Sequence, residues 1–373
     1  MNIPMVDLRT QYLNIKKEVD AAILECVNSS WFIGGPSVQS FSENLEKYLK
    51  VKYVIPCANG TDALQIALMS LDLSPGDEII LPAFTYVATA EVIALLGLRP
   101  VMVDVELDTF NINVSEIEAA VTTKTRAIVP VHLFGQIADM EAIMTIAEKY
   151  NLYVIEDNAQ AIGADYTFSN GILKKGGTIG HIGCTSFYPS KNLGCYGDGG
   201  AIFTNSDTLG KKIQMIANHG QSRRYYHDEI GINSRLDAIQ AAVLNVKLPL
   251  LDSYCQRRIY AADYYDSAFA KVEGLVIPFR SQKSTHVFHQ YTLQVADEKR
   301  DELRVYLEER GVSNMIYYPV PLYKQNAYSH YFDASELPIT EFLCSSVLSL
   351  PMHPELTDEQ LKYITKTVTE FFL

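Results

Sequence analysis

Apolar residues along the first 250 positions follow two spacings that alternate with each other. Apolar positions three and four residues apart predict an amphipathic helix over residues 7–30 and, after a loop at residues 34–36, another over residues 41–49. Short apolar runs, which predict strands, then alternate with helical stretches. The strands are predicted over 53–57, 78–81, 101–105, 127–131, 153–156, 185–188 and 201–204. The helices are predicted over 61–71, 86–96, 115–121, 140–150, 206–218 and 236–246. This alternation predicts an α/β fold in which helices cover both faces of a mainly parallel central sheet.

The pattern changes after Pro249. The remaining residues predict a long helix over 251–272, followed by strand 288–295, helix 300–310, strand 312–318 and helices 339–346 and 357–371. Thr357 and Gln360 have the spacing of a capping box that opens the last helix, as Ser115 and Glu118 do for the helix ending at residue 121. We therefore expect a large domain over residues 1–250 and a smaller C-terminal α+β domain over residues 251–373.

Composition narrows the class of protein. The formal net charge is −13, which argues against non-specific binding to nucleic acid or to an anionic membrane, although a local cationic pocket for a small anion is compatible with it. No uninterrupted apolar run approaches the roughly 18 residues of a membrane-spanning helix, and the amino terminus lacks the pattern of a signal peptide. The six cysteines are scattered and without a C-x-x-C pair, so we expect reduced thiols and a cytoplasmic protein.

A lysine in a glycine-rich loop is the first candidate for chemistry. Lys191 lies between the strands predicted over 185–188 and 201–204, in a loop that contains Gly194, Gly197, Gly199 and Gly200. Glycines let main chain approach a ligand closely, and a lysine held at a strand end among apolar residues is a candidate nucleophile. The alternative is a surface lysine in an ordinary turn.

Other candidate groups also follow predicted strands, where open parallel sheets bind ligands. Residues 58–62 form a glycine turn into a helix, suited to a phosphate, or simply a capped helix. Glu156 and Asp157 should point to opposite faces of their strand, so only one can meet a given ligand. Tyr86 offers an aromatic ring, and residues 233–237 offer an exposed Asn and Arg that bind an anion or cap a helix. The eight histidines form no convincing metal set.

Together these groups match the needs of pyridoxal 5′-phosphate, which requires a phosphate cradle, a ring sandwich, a carboxylate for its pyridine nitrogen and a lysine for its aldehyde. The motifs ANGTDAL, TYVATAE, VIEDNAQ, TSFYPSKNLGCYGDGGA and NSRLDAIQA occur in that chain order. In their amino-acid sequence and in their order along the chain, these motifs resemble those of the nucleotide-sugar aminotransferases of the DegT/StrS type, a fold-type-I pyridoxal-phosphate family. The resemblance extends over nearly the whole chain.

The resemblance implies a role for each matching residue. Lys191 corresponds to the Schiff-base lysine and Asp157 to the partner of the pyridine nitrogen. The remaining cofactor contacts correspond to Gly60, Thr61 and Ser186 for the phosphate, Gln160 for the ring hydroxyl and Tyr86 for stacking. Asn233 matches a residue that reaches the phosphate from the other subunit, which implies a homodimer with shared active sites. Arg235, Tyr317 and Tyr318 are the expected substrate contacts.

The implied reaction is a ping-pong transfer of an amino group from L-glutamate to a keto group on a nucleotide-linked sugar, with Lys191 moving the proton. A 3-dehydratase on the same fold is disfavoured because that branch has histidine in place of the lysine. A 4-keto aminotransferase and a cofactor-binding regulatory protein stay open as alternatives. The motifs are most similar to those of enzymes that act on a C3 ketone of a UDP-2-acetamido hexuronic acid. Arg235 can bind the carboxylate of this sugar, and Arg223 and Arg224 lie on the neighbouring loop. Because that branch tends to have histidine at the position of Tyr317, a dTDP-linked 6-deoxy 3-keto sugar is the competing substrate.

Overall fold

The fold is described from a computed structural model, which describes residues 1–296, 298–332 and 336–373. The α-helices are α1 (Leu8–Asn14), α2 (Lys16–Ser29), α3 (Gly35–Leu49), α4 (Gly60–Met69), α5 (Ala88–Leu95), α6 (Val114–Ala120), α7 (Met140–Tyr150), α8 (Asp207–Ile216), α9 (Ala238–Lys247), α10 (Leu251–Phe269), α11 (Arg300–Glu309), α12 (Pro338–Ser346) and α13 (Asp358–Phe371). The strands are β1 (Tyr53–Cys57), β2 (Glu78–Pro82), β3 (Arg99–Val103), β4 (Thr125–Ile128), β5 (Tyr153–Asp157), β6 (Asp165–Thr167), β7 (Leu173–Lys175), β8 (Ile182–Ser186), β9 (Gly200–Thr204), β10 (Gln221–Arg223), β11 (Tyr226–His227), β12 (Leu275–Val276), β13 (Tyr291–Val295) and β14 (Val347–Leu350).

A seven-stranded sheet forms the centre of the molecule, in the order β1-β9-β8-β5-β4-β2-β3. The pairs from β8 to β3 are parallel, and β9 runs antiparallel between β1 and β8. Buried apolar side chains of two large clusters pack helices against the strands of this sheet. The predicted α/β architecture with a mainly parallel sheet is confirmed.

Most predicted elements are present, and the exceptions have local causes. The helix predicted over 7–30 breaks at Ile15, whose backbone (φ −123°, ψ 17°) ends α1 and precedes α2. The loop predicted over 34–36 is wrong for its last two residues, because α3 begins at Gly35. Pro36 lies in the first turn of α3, where a backbone N–H has no intrahelical acceptor, so its missing N–H costs no hydrogen bond. The capping box predicted at Ser115 is wrong as well, since Asn113 caps α6 by accepting from the Ser115 N–H. The one predicted at Thr357 and Gln360 is confirmed.

The strand predicted over 312–318 is wrong. This segment makes only isolated bridges, Val312 with Ile3 and Met315 with Ser349. The strand that pairs with β13 is instead β14, which follows α12 directly and forms a three-stranded antiparallel sheet with β12 and β13. The segment 312–318 instead runs toward the central sheet, where Tyr317 and Tyr318 pack against an apolar cluster that includes Phe84 and Phe134.

A third apolar cluster packs α10, α11 and α13 against the small antiparallel sheet. It includes Ile3, so the amino terminus contributes to the core of the C-terminal part. The division into domains at residue 250 stays a prediction. All six cysteines are free and buried. No helix within the described ranges combines the length and the apolarity that crossing a bilayer requires.

Candidate active site

The candidate residues converge at one edge of the central sheet. Asp157 ends β5 and Ser186 ends β8, while the loops that carry Gly60 and Lys191 leave the same edge from β1 and β8. Gly200, the first residue of the intervening β9, pairs with both Cys57 and Ser186. This register places the turn after β1 beside the end of β8, at the edge where open parallel sheets bind ligands.

The amino terminus of α4 forms a compact anion-binding turn. The Asn59 side chain accepts from the Asp62 N–H at 2.8 Å, which leaves the N–H groups of Gly60 and Thr61 without an intrahelical acceptor. A Cβ on Gly60 would lie 2.7 Å from the Ser186 Cβ, so only glycine allows the Ser186 side chain to approach this turn so closely. Helix N–H groups next to a serine side chain favour a bound phosphate.

The two carboxylates at the end of β5 have separate surroundings. Glu156 is fully buried, and its oxygens meet the imidazole of His132 at 2.8 Å and accept from three N–H groups of residues 177–180. Asp157 accepts from the Thr89 hydroxyl at 2.9 Å and from the Ala159 N–H at 3.1 Å. Burial raises the pKa of the Asp157 carboxyl, and these two donors oppose the shift. Asp157 therefore retains capacity for a further donor, whereas Glu156 is occupied by the protein.

Lys191 is half-buried in the glycine-rich loop near Asp157. Burial lowers the pKa of its ammonium to about 8, and the Asp157 carboxylate partly opposes that shift. An amine with this pKa is neutral in about a tenth of molecules at pH 7, far more than an ordinary lysine, and a nucleophile or proton acceptor needs the neutral form.

Aromatic rings and an amide border the same space. Gln160 donates from Nε2 to the Tyr318 hydroxyl at 3.1 Å, and its Oε1 accepts from the Phe134 N–H at 2.8 Å. The Tyr86 ring is 57% exposed and has its centroid 6.3 Å from that of Tyr318, so one of its faces is available to a ligand. Burial raises the pKa of the Tyr317 and Tyr318 phenols.

Asn233 and Arg235 do not join this group of residues. Both are exposed, and Arg235 lines a surface cavity of about 370 Å³ beside the start of α3. Only the residue between them connects to the site, since the Ser234 hydroxyl accepts from the Ala58 N–H at 3.0 Å.

Sequence reasoning missed several contacts of the site. Thr89 follows Tyr86 by three residues, a helical spacing that indicates a shared face and could have identified it. The Phe134 N–H reaches Gln160 from a left-handed backbone conformation (φ 56°), which no sequence signal predicted.

These residues fit pyridoxal 5′-phosphate. The α4 turn suits its phosphate, the open carboxylate of Asp157 its protonated ring nitrogen and the Lys191 amine its aldehyde. The fold and the site together define a pyridoxal-phosphate-dependent aminotransferase of fold type I. Residues 13–369 match the model of the DegT/DnrJ/EryC1/StrS aminotransferase family, and the chain belongs to this family.

Curated relatives match over the full length. A protein of Geobacillus stearothermophilus named pleiotropic regulatory protein is 47% identical over 100% of this chain and 99% of its own length. The UDP-2-acetamido-2-deoxy-3-oxo-D-glucuronate aminotransferase of Pseudomonas aeruginosa is 44% identical over 98% of this chain and 99% of its own.

Solved structures agree with the fold. A DegT DnrJ EryC1 StrS aminotransferase from Brucella abortus superposes with a TM-score of 0.95 at 41% identity, covering 100% of both chains. The PLP-form of Spr1654, a putative sugar aminotransferase from Streptococcus pneumoniae, has a TM-score of 0.88 at 27% identity and covers 96% of this chain and 97% of its own. The predicted family and cofactor are confirmed.

Proposed function

We propose that this chain transfers an amino group from L-glutamate to the C3 ketone of a nucleotide-linked sugar, with Lys191 and Asp157 as its catalytic pair. One observation carries the assignment of residues. Asp157 and the loop of Lys191 lie at the sheet edge that also bears the Gly60 turn, and of the two carboxylates on β5 only Asp157 has acceptor capacity left.

When bound, pyridoxal phosphate acts as an electron sink: it accepts the electron pair that remains on the substrate carbon after the carbon loses its proton. The Asp157 carboxylate would hold the proton on the ring nitrogen. Lys191 Nζ would take the proton from the substrate carbon that carries the amino group. Gly60, Thr61 and Ser186 would bind the phosphate, Gln160 would contact the ring hydroxyl, and Tyr86 would stack on the ring.

We further propose that the working unit is a cytoplasmic homodimer with shared sites. Asn233 and Arg235 are exposed at the surface of the chain, while Ser234 between them is bonded to the turn after β1. Side chains presented this way can reach a second subunit's site. The six free cysteines suit a reducing compartment.

The proposed substrate is a UDP-linked 2-acetamido hexuronic acid with a C3 ketone. The Pseudomonas aeruginosa relative, whose name describes such a substrate, supports this choice at 44% identity. A uronate needs a cation, and Arg235 is exposed and free to supply it from the partner subunit. The Tyr317 phenol, which burial keeps neutral, does not offer a carboxylate the positive charge that a histidine can carry, so a dTDP-linked 6-deoxy 3-keto sugar is the competing substrate.

The test compares kcat/KM for 3-keto and 4-keto sugars on UDP and dTDP, with and without the C6 carboxylate. The proposal predicts the highest value for the UDP-linked 3-keto uronate. Arg235→Gln is expected to lower kcat/KM for the uronate by roughly 10- to 100-fold while changing the 6-deoxy sugar little, because it removes only the carboxylate's partner. Preference for the 6-deoxy sugar contradicts the uronate assignment, and amination at C4 alone contradicts the C3 assignment.

A regulatory protein is the second candidate, favoured by the name of the Geobacillus stearothermophilus relative. The carboxylate of Asp157, with acceptor capacity left for a protonated ring nitrogen, supports catalysis, since holding a cofactor as a signal does not require an electron sink. Turnover with any nucleotide-linked keto-sugar decides between the two functions.

A further inference from the structure

Lys247 is a buried lysine outside the candidate active site, and it touches the loop that carries Lys191. It ends α9 and is only 1% exposed. Its ammonium donates to the Gly194 carbonyl at 2.8 Å and to the Gln11 side-chain oxygen at 2.9 Å, and it lies 4.4 Å from the centre of the Tyr196 ring. Gly194 follows Lys191 by three residues. Both oxygens that the ammonium meets are neutral, so its desolvation is not compensated by a paired carboxylate at hydrogen-bonding distance.

A second side chain of α9 holds the same loop. Gln240 accepts from the Tyr196 N–H at 2.8 Å and donates to the Tyr196 carbonyl at 3.4 Å. Gln240 and Lys247 are seven residues apart, which is two helical turns, so they project from one face of α9. This face therefore binds main-chain groups of residues 194–196 at three points.

The loop needs such support because its glycines make it intrinsically adaptable. At Gly194 the chain folds back so tightly that a Cβ would lie 2.3 Å from the Pro189 carbonyl oxygen. The tight segment begins at Pro189 and ends at the bonds from α9, and Lys191 lies inside it. Its geometry is held both by its own main-chain bonds, from the Lys191 N–H to the Tyr188 carbonyl and from the Cys195 N–H to the Phe187 carbonyl, each at 2.8 Å, and by the contacts from α9.

We propose that Lys247, with Gln240, is a positioning residue that fixes the loop of Lys191 through the Gly194 carbonyl. It does not touch the reacting atoms, and it acts through the main chain of residues 194–196. The inference rests on the proposed role of Lys191. A neutral side chain of similar length would fill the same volume without the desolvation of a charge, and it would leave the Gly194 carbonyl without its donor.

The test measures amide hydrogen exchange in the chain without cofactor, which needs no turnover. Lys247→Met should raise exchange in the peptide 188–200 by about 10-fold or more, with little change elsewhere. Gln11→Leu is the matched control, because it removes the bond on the opposite side of the same ammonium. We expect it to leave exchange in this peptide unchanged. Lys247→Gln, which keeps a donor, should restore part of the protection.

Two readouts on the holoenzyme complete the test. Lys247→Met should lower kcat by roughly 10- to 100-fold with KM changed by less than about twofold, as expected for a misplaced catalytic group. The pH midpoint of the cofactor's visible absorption should also shift. Unchanged exchange in 188–200, or a uniform rise across the chain, would overturn the inference. If Lys247→Met does not fold, Gln240→Met, which removes both bonds to the Tyr196 main chain, is judged by the same exchange criterion. An inactive wild-type enzyme would contradict the proposed function and leave the exchange result standing on its own.

Discussion

Glu156 and Asp157, adjacent carboxylates at the end of β5, differ in whether their hydrogen-bonding capacity is used within the protein. Glu156 meets the His132 imidazole and three N–H groups, all supplied by the protein, so its charge is stabilised and its lone pairs are used. Asp157 has the Thr89 hydroxyl and one N–H group at the sheet edge where Lys191 also lies. Strand alternation predicted that the two would face apart. Which of them serves the cofactor was implied by the family resemblance, and the hydrogen bonds support Asp157.

The first prediction separates these two carboxylates. Asp157→Asn should bind pyridoxal phosphate and lose roughly 10²–10³ in kcat, because a neutral amide cannot stabilise a protonated ring nitrogen. Glu156→Gln should instead lower the free energy of unfolding by about 1–3 kcal/mol, since an NH₂ group then faces bound donors. Steady-state rates and chemical denaturation measure the two effects. Near wild-type rates for Asp157→Asn, together with an inactive Glu156→Gln, would invert the assignment.

The second prediction concerns the Lys191 amine in the cofactor-free chain. With a pKa of about 8, its neutral fraction at pH 7 is about 300-fold larger than that of an ordinary lysine. Covalent labelling by an amine reagent should therefore rise with pH, reach half its maximum near pH 8 and then flatten, as followed by mass spectrometry of its peptide. Exposed lysines of the same sample serve as internal reference. A rate at Lys191 that climbs up to pH 10 in parallel with the reference would refute the lowered pKa.

Among the secondary-structure elements, the sequence correctly predicted those whose limits are set by local apolar spacing and by flanking turns. Strand 53–57 and helix 140–150 were predicted to the residue, because their apolar spacing and their flanking turns agree. The segment 312–318 was mistaken for a strand because it is apolar, although its partners are isolated residues of distant segments. Pairing choices of this kind, and the contacts from α9 to the loop of Lys191, depend on tertiary packing that a single sequence does not encode locally.

The third prediction tests the turn at the start of α4. Gly60→Ala places a methyl group 2.7 Å from the Ser186 Cβ, so the turn and β8 must separate. We expect the Kd for pyridoxal phosphate to rise by roughly 10-fold or more, equivalent to about 1.4 kcal/mol. Phosphate-free pyridoxal is the matched control, and its affinity should change little. An equal loss for both compounds would locate the defect outside the phosphate turn.

At the scale of the whole molecule, the site is assembled from distant parts of the chain. The Gly60 turn, Asp157 and Lys191 come from the central sheet, while Tyr317 and Tyr318 arrive from the segment before α12. Asn233 and Arg235 are exposed, as Tyr86 is, but they lie apart from the other predicted site residues, and we propose that they serve the site of a partner subunit.

The fourth prediction follows from shared sites. Lys191→Ala and Asn233→Ala chains are each expected to be nearly inactive, and mixing them should restore activity. In a heterodimer one site carries both lesions and the other carries neither, so an equal mixture that exchanges subunits freely should regain about a quarter of wild-type activity per chain by this counting. Mass spectrometry must verify the exchange of subunits. Verified heterodimers without recovered activity would show that Asn233 serves the site of its own chain.

The half-reaction with L-glutamate distinguishes an aminotransferase from a protein that only binds the cofactor. Purified enzyme loaded with pyridoxal phosphate is mixed with L-glutamate in the absence of any sugar, while visible absorption and released 2-oxoglutarate are followed together. We predict that the wild-type enzyme loses its yellow colour and releases one 2-oxoglutarate per site, and that Lys191→Ala releases none. Persistent colour and no 2-oxoglutarate from the wild-type enzyme would contradict the proposed aminotransferase function.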